Sequence, residues 1–145
     1  MDHQLNAQWR LGGLLSWMEG ESYDRADRKW KALNGYRIPP LQLNVYVEYA
    51  SGRHWSHRLQ ANYSGSRDDA FDDEVGFGSR KVDSYSTVDY STRYQQGRHS
   101  VDLGVENLFN EDYYHVYGQL LRNGRNTSHI PARGITAKIG YQYQW

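Results

Sequence analysis

Six stretches of this chain alternate apolar and polar side chains with a period of two, and that pattern constrains the fold more than any other feature. In 41–49 the odd positions read Leu41, Leu43, Val45, Val47 and Tyr49, against Gln42, Asn44, Tyr46 and Glu48. In 55–63 they read Trp55, His57, Leu59, Ala61 and Tyr63, against Ser56, Arg58, Gln60 and Asn62. The same alternation runs through 5–17 on Leu5, Ala7, Trp9, Leu11, Leu15 and Trp17, and through 99–106 on Val101, Leu103 and Val105. It shifts phase at Val88, Tyr90, Thr92 and Tyr94, and closes the chain on Ala137, Ile139, Tyr141, Tyr143 and Trp145. A period of two places successive side chains on opposite faces of a strand, so each stretch is a strand with one apolar face. Six strands are expected near 4–19, 39–51, 54–66, 82–95, 98–109 and 133–145.

The links alternate in length. Ser51-Gly52-Arg53 joins the second and third strands, and Gln95-Gln96-Gly97-Arg98 joins the fourth and fifth. The remaining links, 20–38, 67–81 and 110–132, are long and polar. Short and long links in turn describe an all-β, antiparallel up-and-down meander with its tight turns at one end. Centring the first turn on Gly52 pairs Tyr49 with Trp55 and Val45 with Leu59. Centring the second between Gln96 and Gly97 pairs Tyr94 with His99 and Tyr90 with Leu103. Apolar then faces apolar, and a slip of one residue would invert it.

Composition narrows the class. Aromatic residues make up 14%, which argues against disorder. Seventeen basic residues balance seventeen acidic ones with no basic stripe, so nucleic acid is not an expected partner. There is no Cys, hence no disulfide framework. No run of apolar residues is long enough for a membrane helix, but each strand is long enough to cross a bilayer tilted, at about 9–11 residues. Tyr49, Trp55, Tyr94 and Trp145 gather where strands meet the short turns, as in the aromatic girdle of an outer-membrane barrel. On the strand pattern alone two solvents remain open: lipid against the apolar face, or a second sheet packed on it as in a soluble β-sandwich binding module.

Two motifs carry a resemblance. Lys138-x-Gly140-x-x-Tyr143-x-Trp145 resembles the terminal signal by which outer-membrane barrels are recognised by their assembly machinery, with Trp where bacterial barrels usually end in Phe. Val101-Asp-Leu-Gly-Val-Glu-Asn107-Leu108-Phe109-Asn110-Glu-Asp-Tyr113-Tyr114 resembles the penultimate-strand motif of TonB-dependent receptors, and Ala132-Arg133-Gly134-Ile135 their entry into the last strand. Ile38-Pro39-Pro40 is similar to the family's approach to a late strand. The resemblance covers essentially all of 1–145, as the last six strands of a 22-stranded transmembrane barrel of siderophore-receptor type. Six strands cannot close alone. The expectation is therefore a fragment without signal peptide or plug domain: a truncated gene, an excised piece or one part of a split receptor.

What the resemblance implies follows. The function is energised import of a ferric siderophore or similar scarce ligand across the outer membrane. The fragment alone is not expected to transport, and it is not an enzyme. Implied partners are the missing N-terminal barrel and plug, the TonB complex through that plug, the assembly machinery through the last strand, and outer-membrane lipid. No cofactor is expected beyond iron carried within a bound siderophore. Ligand contact is expected from the 110–132 loop, on Tyr113, Tyr114, His115, Tyr117, Arg122 and Arg125. Aromatic rings there offer apolar area with hydrogen-bonding tips, and arginine forks suit carboxylate or hydroxamate oxygens. The acidic run 68–74 lacks the spacing of a calcium loop, and the six His show no metal-ligand spacing. Glu48, Arg58, Asp89, Arg93 and Asp102 fall on the polar face and are expected to form a network there. No catalytic constellation emerges. A piece of a porin or of an outer-membrane enzyme is the remaining alternative.

Overall fold

A computed structural model describes residues 1–33, 38–67, 82–119 and 130–145. In chain order it contains β1 (Asp2–Gln4), β2 (Trp9–Ser16), β3 (Glu21–Asp24), β4 (Lys29–Ala32), β5 (Gln42–Ser51), β6 (Trp55–Ser64), β7 (Tyr85–Gln96), β8 (His99–Glu106), a single helical turn α1 (Val116–Gln119), and β9 (Thr136–Tyr143). Seven strands form one antiparallel sheet in the order β1-β2-β5-β6-β7-β8-β9, while β3 and β4 pair separately. Apart from that hairpin and β1, this is the expected meander, with tight turns after β5 and β7 and long links elsewhere.

The two faces run unbroken across the sheet. One row is Leu11, Val47, Leu59, Tyr90, Val105 and Ala137, each opposite the next across a strand pair. The neighbouring row on the other face is Arg10, Glu48, Arg58, Ser91, Gly104 and Lys138.

The pairing within the hairpins differs from the expected one by two residues. Tyr49 lies opposite His57 and Val45 opposite Ala61, because the first turn is the three-residue loop 52–54. Tyr90 lies opposite Val105 and Tyr94 opposite Val101, because the second is the two-residue loop Gly97-Arg98. A shift of two leaves every side chain on its face, so alternation cannot detect it. What decides it is turn chemistry and charge. Gly52 and Gly97 open their loops with φ of +69° and +58°, a conformation that costs glycine little. The resulting registers set Glu48 opposite Arg58 and Arg93 opposite Asp102.

The first expected strand, 4–19, is broken. The Asn6 side-chain oxygen accepts from the backbone N–H of Gln8 at 2.8 Å and of Trp9 at 2.9 Å. This local turn reverses the chain, so β1 folds back on β2. Leu5 and Ala7, which alternation assigned to a strand face, lie in that turn. The link 20–38 holds the β3–β4 hairpin, in which the Tyr23 and Trp30 rings meet edge to face at 5.5 Å. Its four-residue strands are too short to register as a period.

The expected polar-face residues are partnered, in separate groups rather than one network, Asp89 with Asn62 and the Asn107 backbone. Glu48 lies 3.0 Å from Arg58 and 3.6 Å from Arg10. Arg93 grips Asp102 with two nitrogens, Nη2 lying 3.2 Å from Oδ2, and Lys138 pairs with Glu106.

Buried apolar side chains among the described residues are few: Ile38, Val82 and Val116, all from the long-link end. Among the described residues no second layer covers the apolar face. Leu59 is 45% exposed, Leu103 43% and Ile139 80%. A sandwich would hide these side chains against an opposing sheet, so the described residues do not form that alternative. No helix among the described residues is long and apolar enough to cross a membrane. The acidic run 68–74 and His129 lie outside the described residues.

Candidate functional site

At the long-link end, the polar face of β5 to β8 and the segments 107–115 and 131–136 enclose a hollow of about 560 Å³. Its floor is a ladder of amides. Asn44 donates to Asn62 Oδ1 at 2.6 Å, and Gln60 donates to the same oxygen at 2.8 Å. Asn62 in turn donates to Asp89 at 2.8 Å and to Thr87 at 3.2 Å. The other Asp89 oxygen accepts from the Asn107 backbone N–H at 2.9 Å. The register of two strand pairs brings these side chains together, since Asn44 faces Asn62 and Gln60 faces Asp89.

The wall is aromatic. Tyr85 and Tyr113 pack with ring centres 4.5 Å apart, and His115 meets Tyr113 edge-on at 5.2 Å. The Tyr85 hydroxyl and His115 Nδ1 lie 3.4 Å apart. Burial, followed by the neighbouring Tyr85, Asp89 and Glu106, pushes the Tyr113 phenol above its ordinary value.

Asn107 holds the wall to the floor. It is buried with φ of +51°. Its side-chain oxygen accepts from Glu111 N–H at 2.8 Å, and its amide donates to the Glu111 carbonyl at 2.9 Å and the Arg133 carbonyl at 3.3 Å. Asn110, also at positive φ, accepts from Ile135 N–H at 2.9 Å. The two Asn of Asn107-Leu-Phe-Asn110 thus tie the exit from β8 to the entry into β9. Asn is among the few non-glycine residues that tolerate this backbone region.

Of the expected ligand contacts, Tyr113 and His115 line the hollow. Tyr114 and Tyr117 stand outside it, Tyr117 exposed on α1. Arg122 and Arg125 lie outside the described residues. The floor amides, Tyr85 and Arg133 were not anticipated; the signal available for Asn44 and Asn62 was their matching polar-face positions either side of the first turn. In the last strand, Lys138 is ion-paired with Glu106, Gly140 lies opposite Asp102, and Tyr143 lies opposite His99. The exposed Trp145 ring meets Tyr143 edge-on at 5.3 Å. Among the described residues no group of His or carboxylates is arranged to hold a metal ion. The hollow offers carboxylate, amide, phenol, imidazole and one guanidinium, a set that hydrogen-bonds an oxygen-rich ligand.

Residues 3–108 match the family model described as TonB dependent receptor-like, beta-barrel. The chain is 30% identical over 114 residues to the ferric aerobactin receptor of Escherichia coli, and equally to that of Klebsiella pneumoniae. Each match takes in 79% of this chain and 14% of the relative, so the chain spans a small part of those proteins. Among solved structures, the copper transporter OprC superposes over 98% of this chain and 22% of its own, with a TM-score of 0.79 and 22% identity. The ferric enterobactin receptor of Pseudomonas aeruginosa, in complex with enterobactin, superposes over 99% of this chain and 21% of its own, with a TM-score of 0.68 and 13% identity.

Proposed function

Because the chain belongs to the TonB-dependent receptor β-barrel family, we propose that it builds one side of an outer-membrane barrel that takes up a ferric siderophore with TonB-supplied energy. The observation that carries this reading is the asymmetry of the sheet: its apolar face is exposed across the six strands β2, β5, β6, β7, β8 and β9 while its polar face is ion-paired. That arrangement is unfavourable in water and favourable with lipid outside and water within. The dimensions agree. The ten residues of β5 or β6 at about 3.3 Å each extend about 33 Å, which a tilt of about 40° reduces to the roughly 25 Å apolar band of such barrels.

In this reading the tight turns lie on the periplasmic side and the long links outside. Ligand is captured on the loop bearing Tyr113, Tyr114, His115, Tyr117, Arg122 and Arg125. A whole receptor of this family needs further strands and a plug besides these 145 residues, the plug makes the contact with the TonB complex, and the segment alone does not transport. Lys138, Gly140, Tyr143 and Trp145 present the last strand to the assembly machinery. The relatives' name makes ferric aerobactin the first ligand to try, and the arginines of the loop suit carboxylate or hydroxamate oxygens.

The test is uptake of radiolabelled iron, supplied as ferric aerobactin, by cells whose only siderophore receptor is the intact protein carrying this segment. Uptake should require TonB and fall when residues 110–132 are deleted. Uptake that proceeds equally without TonB, or a barrel that accepts no ferric siderophore, would refute the proposal.

A further inference from the structure

We propose that the tight-turn rim of the sheet binds the phosphate headgroup of an anionic phospholipid through Arg53 and Arg98, beside an aromatic shelf of Trp55, Tyr94 and Tyr143. The inference rests on the membrane reading above and adds a lipid site to it.

Both tight turns carry the same tripeptide, Gly-Arg-His, at 52–54 and 97–99. The hairpins β5–β6 and β7–β8 are neighbours in the sheet, so both turns leave the same edge. They lie two strand spacings apart, about 10 Å. The first turn is fastened to the start of the second. His54 Nδ1 lies 2.8 Å from the Gln95 carbonyl, and Gln95 N–H donates to the His54 carbonyl at 2.8 Å. The two arginines are therefore held on one rim.

Charge distinguishes them from the rest of the sheet. Every Lys or Arg within its strands is ion-paired: Arg10 and Arg58 with Glu48, Arg93 with Asp102, and Lys138 with Glu106. The side chains of Arg53 and Arg98 are exposed and have neither hydrogen bond nor ion pair among the described residues. No Asp or Glu lies within 50–56 or 95–100. Two guanidiniums without a partner among the described residues thus stand at this edge, a field that attracts an anion and whose forks fit phosphate oxygens.

The rings beside them identify the source of that phosphate. Trp55 and Tyr94 pack at 4.8 Å, and His99 and Tyr143 at 5.0 Å. Trp and Tyr at such a level sit among headgroups, the ring against acyl chain and the polar tip in the interface. Free phosphate has no use for the shelf, whereas a phospholipid uses both parts.

The experiment reconstitutes the intact protein carrying this segment in phosphatidylcholine vesicles containing a trace of spin-labelled phosphatidylglycerol or spin-labelled phosphatidylcholine. The motionally restricted fraction reports lipid held against protein. Phosphatidylglycerol should be preferred on the order of tenfold, less at raised salt. The preference should vanish in Arg53→Gln/Arg98→Gln and survive in Arg53→Lys/Arg98→Lys. Equal restriction of both labels by the unaltered chain, or a preference that persists in the Gln variant, overturns the headgroup site and leaves the membrane reading standing. No restricted lipid of either kind removes both.

Discussion

Arg58 lies directly opposite Glu48 across the β5–β6 pair, with Nη1 3.0 Å from Oε1. Its second nitrogen donates to Gln60 at 2.9 Å, and its guanidinium carbon sits 3.7 Å from the centre of the Tyr46 ring. One side chain thus links two strands by charge, hydrogen bond and cation–π contact. The pair is partly exposed, so its own coupling is expected to be modest, about 0.5–1 kcal/mol in a cycle of Glu48→Gln and Arg58→Gln. Arg58→Ala also removes the packing on Tyr46 and the bond to Gln60, and should cost more, about 1–3 kcal/mol. Urea titration of the intact protein carrying this segment, refolded in lipid vesicles, measures both. A coupling of zero would show that the register is held by the turn alone.

Val45 separates lipid from water as the solvent of the apolar face. It is 43% exposed at mid-strand and lies between Gly13 and Ala61, neither of which shields it. Val45→Arg should destabilise the refolded protein by about 2–4 kcal/mol if the site faces the bilayer midplane. Thr92→Arg, on the same face near the tight turns, should cost about 0–1 kcal/mol. Equal and negligible costs at both positions would mean that water bathes this face.

Strand faces were legible because a period of two survives any even shift, and because Glu48 or Arg93 on the apolar side would have been conspicuous. The pair-by-pair register was not, since a two-residue shift is invisible to that test. Opposite charges at 48 and 58, and at 93 and 102, would have located it. The reversal at Asn6 was missed because Leu5 and Ala7 continue the alternation through a turn that a side-chain oxygen creates. The aromatic wall at Tyr113 and His115 could be read from one local run. The floor of Asn44, Asn62 and Asp89 could not, because it exists only once three strands are in register.

The β3–β4 hairpin should respond to pH at its two extremes. Lys31 Nζ lies 2.7 Å from carboxylate oxygens of both Asp24 and Asp27. The hydrogen bond from Lys31, helped by the backbone N–H groups of Ala26 and Asp27, holds Asp24 below its ordinary 3.8. The bonds to Asp24 and Asp27 hold Lys31 above its ordinary 10.5. A lowered acid stabilises the fold above its unfolded value and ceases to do so as pH falls through the folded one. A raised base stabilises below its unfolded value and ceases as pH rises through the folded one. The Trp30 indole resonance should therefore be constant between these extremes, shifting only below 3.8 and above 10.5. Lys31→Met should return the acid transition toward that ordinary value, and a transition unchanged in this variant would contradict the assignment.

Asn107 offers the sharpest test of how the last strand is placed. Its φ of +51° is a conformation that glycine adopts freely and alanine does not. Its side chain also makes three hydrogen bonds, to both backbone groups of Glu111 and to the Arg133 carbonyl. The two contributions separate by substitution. Asn107→Gly keeps the backbone and loses the bonds, and should cost about 1–2 kcal/mol. Asn107→Ala loses both and should cost about 2–4 kcal/mol. Because the Arg133 bond precedes β9 by three residues, the loss should be local, with faster amide exchange at Thr136–Tyr143 than across the β5–β6 pair. Equal costs for Gly and Ala would show that the backbone conformation contributes nothing. Unchanged exchange in β9 would show that strand to be placed by its pairing with β8 alone.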